Sequence, residues 1–385
     1  MNTLAYIIGS VFAWSTAVVV IGLIVGLIAR VKLRSRSEAE EKSDVRIKFA
    51  CLICAHNEEN VIHRPIRSLL ASGYPADKRD IIVLADNCSD RTAEIAESFN
   101  GVIVKRKTTP SSGKGDVLSW GIDLIRNAGY DAIAVFDADN EIDGNWFDKM
   151  NSAFAQGASV VTGHRMSSNS FASLISSWYT IYWNLMNELS NRVRSSLGLS
   201  AMLTGTGFAF KTDALPEEGW RTRTFVEDLE FAFFSNMRGF RVVYVPDAVF
   251  YDEQPVSVRP MYRQLNRWAT GGLQILRRYT WVWLKQLFKT PSFRLFDCFV
   301  VVALGLSGTM LLILNLAMLH WSFFSWFLAV GWASAILSTV LSRYPVRSLL
   351  LPILLFPIFC LVLSSTVLYS LIFPQRKWKP IIHGN

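Results

Sequence analysis

Cysteine is scarce in this chain: five residues in 385, with no spacing that suggests a disulfide framework. Cys51 and Cys54 form a C-x-x-C pair, but they lie inside the apolar run Phe49–Ala55. On a strand, positions i and i+3 face opposite sides. The pair therefore suits neither a shared metal nor a redox couple, and reduced structural thiols in a cytosolic domain are expected. Charge is missing altogether from Leu4 to Ala29, a stretch longer than the ~20 residues that cross a bilayer. The start Met1-Asn2-Thr3 lacks the basic residues that open a cleaved signal peptide. Arg30, Lys32, Arg34 and Arg36 follow directly, and the positive-inside rule holds that end in the cytoplasm. A permanent anchor over 1–30 is expected, then a basic and polar linker over 31–46.

An acidic excess is lacking too. Lys and Arg number 39 against 31 Asp and Glu, a formal net charge of +8. Much of that excess sits beside apolar segments: Arg30–Arg36, then Arg277, Arg278, Lys285, Lys289 and Arg294. Juxtamembrane bases attract anionic lipid, so the charge implies membrane lipids and no nucleic acid. Hydrophobic residues make up 51% of the chain and concentrate at its two ends. Spans are expected at Phe296–Leu319, Trp321–Leu341 and Leu349–Phe373, within a membrane region over 295–374 and ahead of a tail over 375–385. The last segment either crosses or, with Pro352 and Pro357 inside it, re-enters. The chain is thus expected in the plasma membrane, its middle region in the cytosol.

That middle region is organised around Val135-Phe136-Asp137-Ala138-Asp139-Asn140. Two carboxylates, Asp137 and Asp139, close the apolar run from Ala132, which reads as a buried strand. Carboxylate oxygens are hard ligands suited to Mg²⁺ or Mn²⁺, and such an ion is commonly shared with substrate phosphates. Upstream, a strand over Ile47–Cys54 ends in Ala55-His56-Asn57-Glu58-Glu59-Asn60, with a helix expected over Val61–Ser72. A second strand over Ile81–Leu84 ends at Ala85-Asp86, and Ser89 or Asp90 is placed to cap a helix over Thr92–Ser98. A third strand covers Val102–Val104. Strands alternating with helices predict an α/β domain over 47–255, a mostly parallel sheet with flanking helices. Ligands bind such sheets beyond the carboxyl ends of the strands, where Ala55, Asp86 and Asp137 fall.

The loop Ser111-Ser112-Gly113-Lys114-Gly115-Asp116 resembles the tail of a phosphate-cradling loop. It lacks the leading glycine, and Asp116 replaces the usual Ser or Thr. Lys114 is then either a point-charge contact to a phosphate or part of an exposed basic turn. From Phe171 to Leu189 apolar residues recur every three or four positions, an amphipathic helix whose aromatics are expected to pack. In Leu203-Thr204-Gly205-Thr206-Gly207 the glycines let backbone approach a ligand and the threonines offer hydroxyls. Glu227 and Asp228 open a helix, where acids also suit the N-terminal dipole. Over 256–294 the chain is basic, aromatic and amphipathic. There Gln264, Arg267 and Trp268 fall at i, i+3 and i+4 of a helix and project from one face. A guanidinium recognises phosphate bidentately and an indole offers a flat face to a sugar ring, while bases and tryptophans also suit a membrane interface.

Taken together, Ala55-His56-Asn57-Glu58-Glu59, Asp86, Asp137-Ala138-Asp139, Gly205-Thr206-Gly207-Phe208, Glu227-Asp228 and Gln264-x-x-Arg267-Trp268 resemble the motifs of membrane-embedded family 2 glycosyltransferases. These include the cellulose, chitin and hyaluronan synthases and other processive β-glycosyltransferases. The resemblance implies a GT-A fold and inverting, metal-dependent transfer of a hexose or N-acetylhexosamine from a nucleotide-diphospho-sugar, usually UDP-linked. It implies donor contacts from Ala55, Asn57, Glu58, Asp86, Lys114 and Asp137, with Asp86 on the nucleoside. Asp139, with Asp137, would hold Mg²⁺ or Mn²⁺. Asp228 would be the general base beside Glu227. Thr204, Gly205 and Thr206 would meet the acceptor, and Gln264, Arg267 and Trp268 the diphosphate and the acceptor end. The chain departs from many relatives at Ala85 (a second acid there) and Val226 (a threonine). It also lacks the aromatic-Cys-Gly pattern of the cellulose and chitin enzymes, so the sugar stays open. The acceptor is a growing glycan or a membrane lipid. Four spans at most make a thin wall for a channel, which favours single transfer to a membrane lipid, or else calls for a homo-oligomer or an export partner.

Overall fold

The computed structural model describes residues 45–302 and 321–375. The expected anchor, nearly all of the linker, most of the span from Phe296 and most of the tail lie outside the described residues.

Four short apolar runs form the first half of the sheet: β1 (Phe49–Ala55), β2 (Arg79–Asp86), β3 (Val102–Lys107) and β4 (Ala132–Asp137). They are parallel, in the order β3-β2-β1-β4. Connections through α1 (His63–Leu70), α2 (Thr92–Glu97) and α3 (Lys114–Ile125) return each strand to the same starting edge, as parallel neighbours require. Register fixes the other edge: Ala55 pairs with Ala85, and Cys54 with Asp137. Asp86 and Asp137 therefore flank the end of β1.

The sheet continues through β7 (Phe208–Lys211), β6 (Val160–Ser167), β8 (Val242–Asp252) and β5 (Glu141–Ile142), eight strands in all. β7 runs antiparallel to β4 and β6. Its first residue thus lies where the parallel strands end, and this polarity brings 204–207 to the acidic edge. β6 and β7 were not legible as strands. β6 breaks its apolar pattern with Thr162-Gly163-His164-Arg165 and shifts register between Thr162 and His164, and β7 is only four residues long.

Side-chain alternation divides the core in two. Phe49, Cys51 and Ile53 pack with Ile66 and Leu69 of α1 and with Trp146, Phe147 and Met150 of α4 (Trp146–Ala155). Ala50 and Leu52 pack with Leu118 and Ile122 of α3 and with Phe231 of α7 (Glu227–Met237). Cys51 and Cys54 fall on these opposite faces, and both are free thiols.

The helix expected from Phe171 begins at Leu174, because Ser173 and Ser176 cap it reciprocally. This α5 (Leu174–Asn184) passes through a π-helical turn at Leu185–Asn191 into α6 (Arg192–Ser196). Beyond the sheet, α8 (Val258–Lys289) is a single helix of 32 residues. It packs through Met261 and Leu265 on α5 and on Phe356 and Phe359 of α10 (Leu350–Ile372), with Ala335 of α9 (Trp321–Leu341) in the same cluster. Asn266 and Ser370 bind side chain to side chain at 2.5 Å. Pro357 lies inside α10 without dividing it, so the segment does not form a re-entrant hairpin. Among the described residues one helix, Val346–Ile372, is long and apolar enough to cross a membrane.

Candidate active site

A cavity of about 220 Å³ opens at the carboxyl edge of the sheet. Asp86 closes β2 and is buried; its Oδ1 accepts from Ser111 Oγ and from Asn87 Nδ2, both at 2.8 Å. The loop before α3 is thereby drawn over the Asp86 side of the cavity. Lys114, the first residue of α3, points inward: Nζ lies 2.5 Å from Asp137 Oδ1 and 2.7 Å from the Gly205 carbonyl. It is not part of an exposed basic turn. Burial opposes its charge, but Asp137, Cys54 and Glu227 outweigh burial and hold its pKa above the ordinary lysine value.

The Asp-x-Asp turn is held by residues that sequence reasoning assigned elsewhere or missed. The Asp137 amide donates to Asn140 Oδ1 and to Thr206 Oγ1, both at 2.9 Å, and Thr206 also bonds Asn140. Asp139 accepts from the Glu253 amide at 2.9 Å through Oδ2 and from Asn140 Nδ2 at 3.3 Å through Oδ1, which orients both oxygens. Thr206 does not line the cavity and instead pins the acidic turn. Asn57 does not line it either: its Oδ1 accepts from the Ser89 amide at 2.8 Å. The other expected residues, Ala55, Glu58, Asp86, Lys114, Asp137, Asp139, Thr204, Gly205, Glu227, Asp228, Gln264, Arg267 and Trp268, share the wall of the one cavity.

Glu227 and Asp228 form the buried first turn of α7. Burial and the neighbouring Asp228 charge push Glu227 up to about 7, against the pull of Lys114 and Arg267. Burial likewise raises Asp228, opposed by the backbone amide at Leu229 and by the same two cations. Gly205 lies beside Asp228, its Cβ position 4.0 Å from Asp228 Oδ2, and its φ of +87° is what favours glycine there. Gly207 is stricter, since at φ +62° a Cβ would meet the Phe250 ring at 2.3 Å.

Opposite the acids the wall is aromatic. Trp268 stacks on Tyr182 (centroids 5.9 Å, planes 24° apart) and meets Trp183 edge-on at 5.6 Å. Tyr182, Trp183 and Met186 of the α5 segment line the cavity, so that helix is more than packing. Gln264 Oε1 and Thr204 Oγ1 are buried cavity-lining atoms without a hydrogen-bond partner. Such atoms are costly unless something else bonds them. Arg165 and Asp252 were missed. They form a buried ion pair, Nε to Oδ1 at 2.9 Å; Arg165 also donates to the Thr204 carbonyl and lies 3.7 Å above the Trp183 ring. A charged pair in apolar strands was the one available signal, because charge is rarely buried unpartnered.

The donor set fits a divalent ion shared with a substrate. Asp137 and Asp139 contribute hard oxygens, and Mg²⁺ is ordinarily held by one or two carboxylates plus substrate phosphates. Among the described residues no group of three or more His, Cys, Asp or Glu forms an all-protein cage.

A mixed, mostly parallel sheet with flanking helices and acids at its carboxyl edge defines a GT-A-type fold. The fold is shared with the mannosyltransferase PcManGT from Pyrobaculum calidifontis, solved in complex with GDP-Man and Mn²⁺. It has a TM-score of 0.57 and 15% identity over 92% of this chain and 99% of that one. The profile of the family "Glycosyltransferase like family 2" matches residues 46–271, and the chain belongs to that family. Curated relatives include "Probable glycosyltransferase YdaM" of Bacillus subtilis (strain 168), 28% identical over 260 residues, 66% of this chain and 61% of that protein. Poly-beta-1,6-N-acetyl-D-glucosamine synthase of Staphylococcus aureus (strain MSSA476) is 25% identical over 276 residues, 69% and 64%. The chain thus spans about three fifths of the length of the curated relatives it matches.

Proposed function

We propose that this chain is a membrane-embedded, inverting glycosyltransferase. It moves a hexose or N-acetylhexosamine from a nucleotide-diphospho-sugar, a UDP-sugar, to a growing β-linked glycan. One observation carries this reading: the acids at the ends of β2 and β4, the Glu227–Asp228 turn and the Gln264–Trp268 face line a single cavity. In the proposed reaction Asp228 removes the acceptor hydroxyl proton while that oxygen attacks the sugar C1. The bond from C1 to the phosphate oxygen breaks on the opposite side, releasing a nucleoside diphosphate. A single displacement inverts the anomeric centre and needs one base opposite the leaving group. Asp86 and Lys114 bind and orient the donor, Arg267 faces the departing charge, and Trp268 gives the acceptor sugar a platform. A divalent ion, when bound by Asp139 and Asp137, supplies charge stabilisation for the diphosphate.

The polymerising name of the Staphylococcus aureus relative supports the glycan acceptor. A second reading, single transfer to a membrane lipid, is favoured by the backing of the acceptor wall. Trp268, Tyr182 and Phe359 pack together, so the helix able to cross a membrane adjoins the acceptor side. Membranes carrying the protein, supplied with radiolabelled UDP-glucose or UDP-N-acetylglucosamine, separate the two readings by product length. Long saccharides support the polymer, a single sugar on extractable lipid supports the second reading, and no transfer from either donor overturns the UDP-sugar assignment.

A further inference from the structure

The turn that presents Glu227 and Asp228 is tied to a distant part of α8. Residues 223–226 have no strand or helix of their own, so their amides and carbonyls need partners from outside. Glu230, one turn into α7 and fully buried, supplies two: its Oε2 accepts from the amides of Arg223 (2.8 Å) and Thr224 (2.7 Å). The Glu230 amide also donates to the Val226 carbonyl at 3.0 Å, and two further partners come from α8. Gln274 Oε1 accepts from the Phe225 amide at 2.9 Å, and Arg267 donates to the Phe225 carbonyl at 3.3 Å. A side chain on Gly271 would stand 2.7 Å from the Val226 methyls, so helix and turn are in closest contact there. Arg267, Gly271 and Gln274 fall at i, i+4 and i+7, one stripe of the helix. Three turns beyond Arg267, the hydroxyl of half-buried Tyr279 donates to Glu230 Oε1 at 2.5 Å.

We propose that Glu230 and Tyr279 are positioning residues, a latch that sets the Asp228 carboxylate against the acceptor by fixing the turn to α8. This rests on the reading of Asp228 as the base. Neither residue lines the cavity, so neither touches substrate. The carboxylate of Glu230 accepts from two amides and one hydroxyl, so its bonds go to the turn and to α8 and not into the cavity. What the latch controls is orientation, to which transfer rates are steep: displacing a reacting group by about 1 Å costs up to ~10²-fold. It also joins the base to α8, whose far end carries exposed Trp281 and Phe288 beside Arg277, Arg278 and Lys285. The seating of that end is thereby transmitted to the reacting groups.

The test uses the full-length protein in detergent or vesicles, with UDP-glucose or UDP-N-acetylglucosamine, whichever the wild type turns over. Tyr279→Phe removes one hydroxyl and leaves the ring in place against Phe233 and Phe234. It is expected to lower kcat about 10-fold to 100-fold with donor KM and melting temperature unchanged. Glu230→Gln keeps an oxygen for the two amides and an N–H for the tyrosine oxygen, and should recover most of the activity that Glu230→Ala loses. In an Asp228→Asn background, Tyr279→Phe should cause no further loss, because no base remains to be positioned. A wild-type kcat in Tyr279→Phe overturns the latch. So does a loss that multiplies through in the double variant, which is the mark of a merely structural role. Near wild-type turnover in Asp228→Asn alone overturns the base assignment itself, and with it the latch.

Discussion

Lys114 Nζ lies between Asp137 Oδ1 at 2.5 Å and the Gly205 carbonyl at 2.7 Å, so one cation joins the acidic turn to the glycine turn. It also pulls Glu227 and Asp228 down in pKa. Lys114→Ala is expected to weaken donor binding and to move the acid limb of the pH–rate profile upward, as the acidic pair loses a neutralising charge. A profile and a donor affinity both unchanged from wild type would show that the ammonium serves packing alone.

Glu227 gives a second, thermodynamic prediction. Its folded-state pKa, about 7, lies above the ordinary value of 4.5. The folded state therefore binds the proton more tightly. This contribution to stability is complete below pH 4.5 and is lost as pH rises through about 7. Between pH 5 and 8, without donor or metal, the wild type should lose stability relative to Glu227→Gln, by at most roughly 3 kcal/mol. Denaturant titrations at several pH values measure the difference; parallel curves for the two proteins contradict it.

Asp139→Ala should abolish transfer and leave the chain in the membrane fraction, since the substituted side chain is a hard ligand whose two oxygens are oriented by the Glu253 amide and by Asn140 Nδ2. Full activity in excess chelator would remove the divalent ion from the scheme.

Arg267→Ala and Trp268→Ala should differ in kind. The first removes a cavity-lining cation, proposed above to face the leaving group, and should lower the rate with every acceptor. The second removes a ring stacked 5.9 Å from Tyr182 and should shorten products while sparing donor KM. Product sizing beside initial rates distinguishes them.

Gly207→Ala tests the scaffold alone. A Cβ there meets both a positive φ and the Phe250 ring. A loss of about 2–5 kcal/mol in stability is expected, read as a lower melting temperature.

The parallel half of the sheet was legible because each of its strands is an apolar run closed by polar turn residues, and strand ends in such sheets share one edge. Asp86, Asp137 and Asp139 could therefore be gathered from sequence before any coordinates. The antiparallel half was not legible. β7 is too short to show a period, and β6 buries Arg165, a residue whose strand character depends on Asp252, 87 positions away. Thr206 and Asn57 had the right chemistry in the right segments. Which atom a hydroxyl or amide bonds, however, is set by the neighbouring turn, and in both cases that turn used it first. The aromatics of α5 carried a helical period that suited packing and cavity lining equally, and Tyr182 and Trp183 do both. The latch on α7 left no periodic trace, because it joins Glu230 to Tyr279 across 49 residues.

The polarity of the sheet also has a practical side. Every strand of the parallel set, and β6 and β8 with it, begins at the edge away from the cavity. Several of the turns feeding that edge contain a glycine: Gly101, Gly129, Gly157 and Gly239, and nothing stands within 4 Å of where a side chain would start on any of them. Exposed, uncrowded turns of this kind tolerate inserted sequence. An epitope or a small fluorescent reporter placed in them would sit a full strand length from the chemistry, so the protein can be followed in living cells without touching the edge that works.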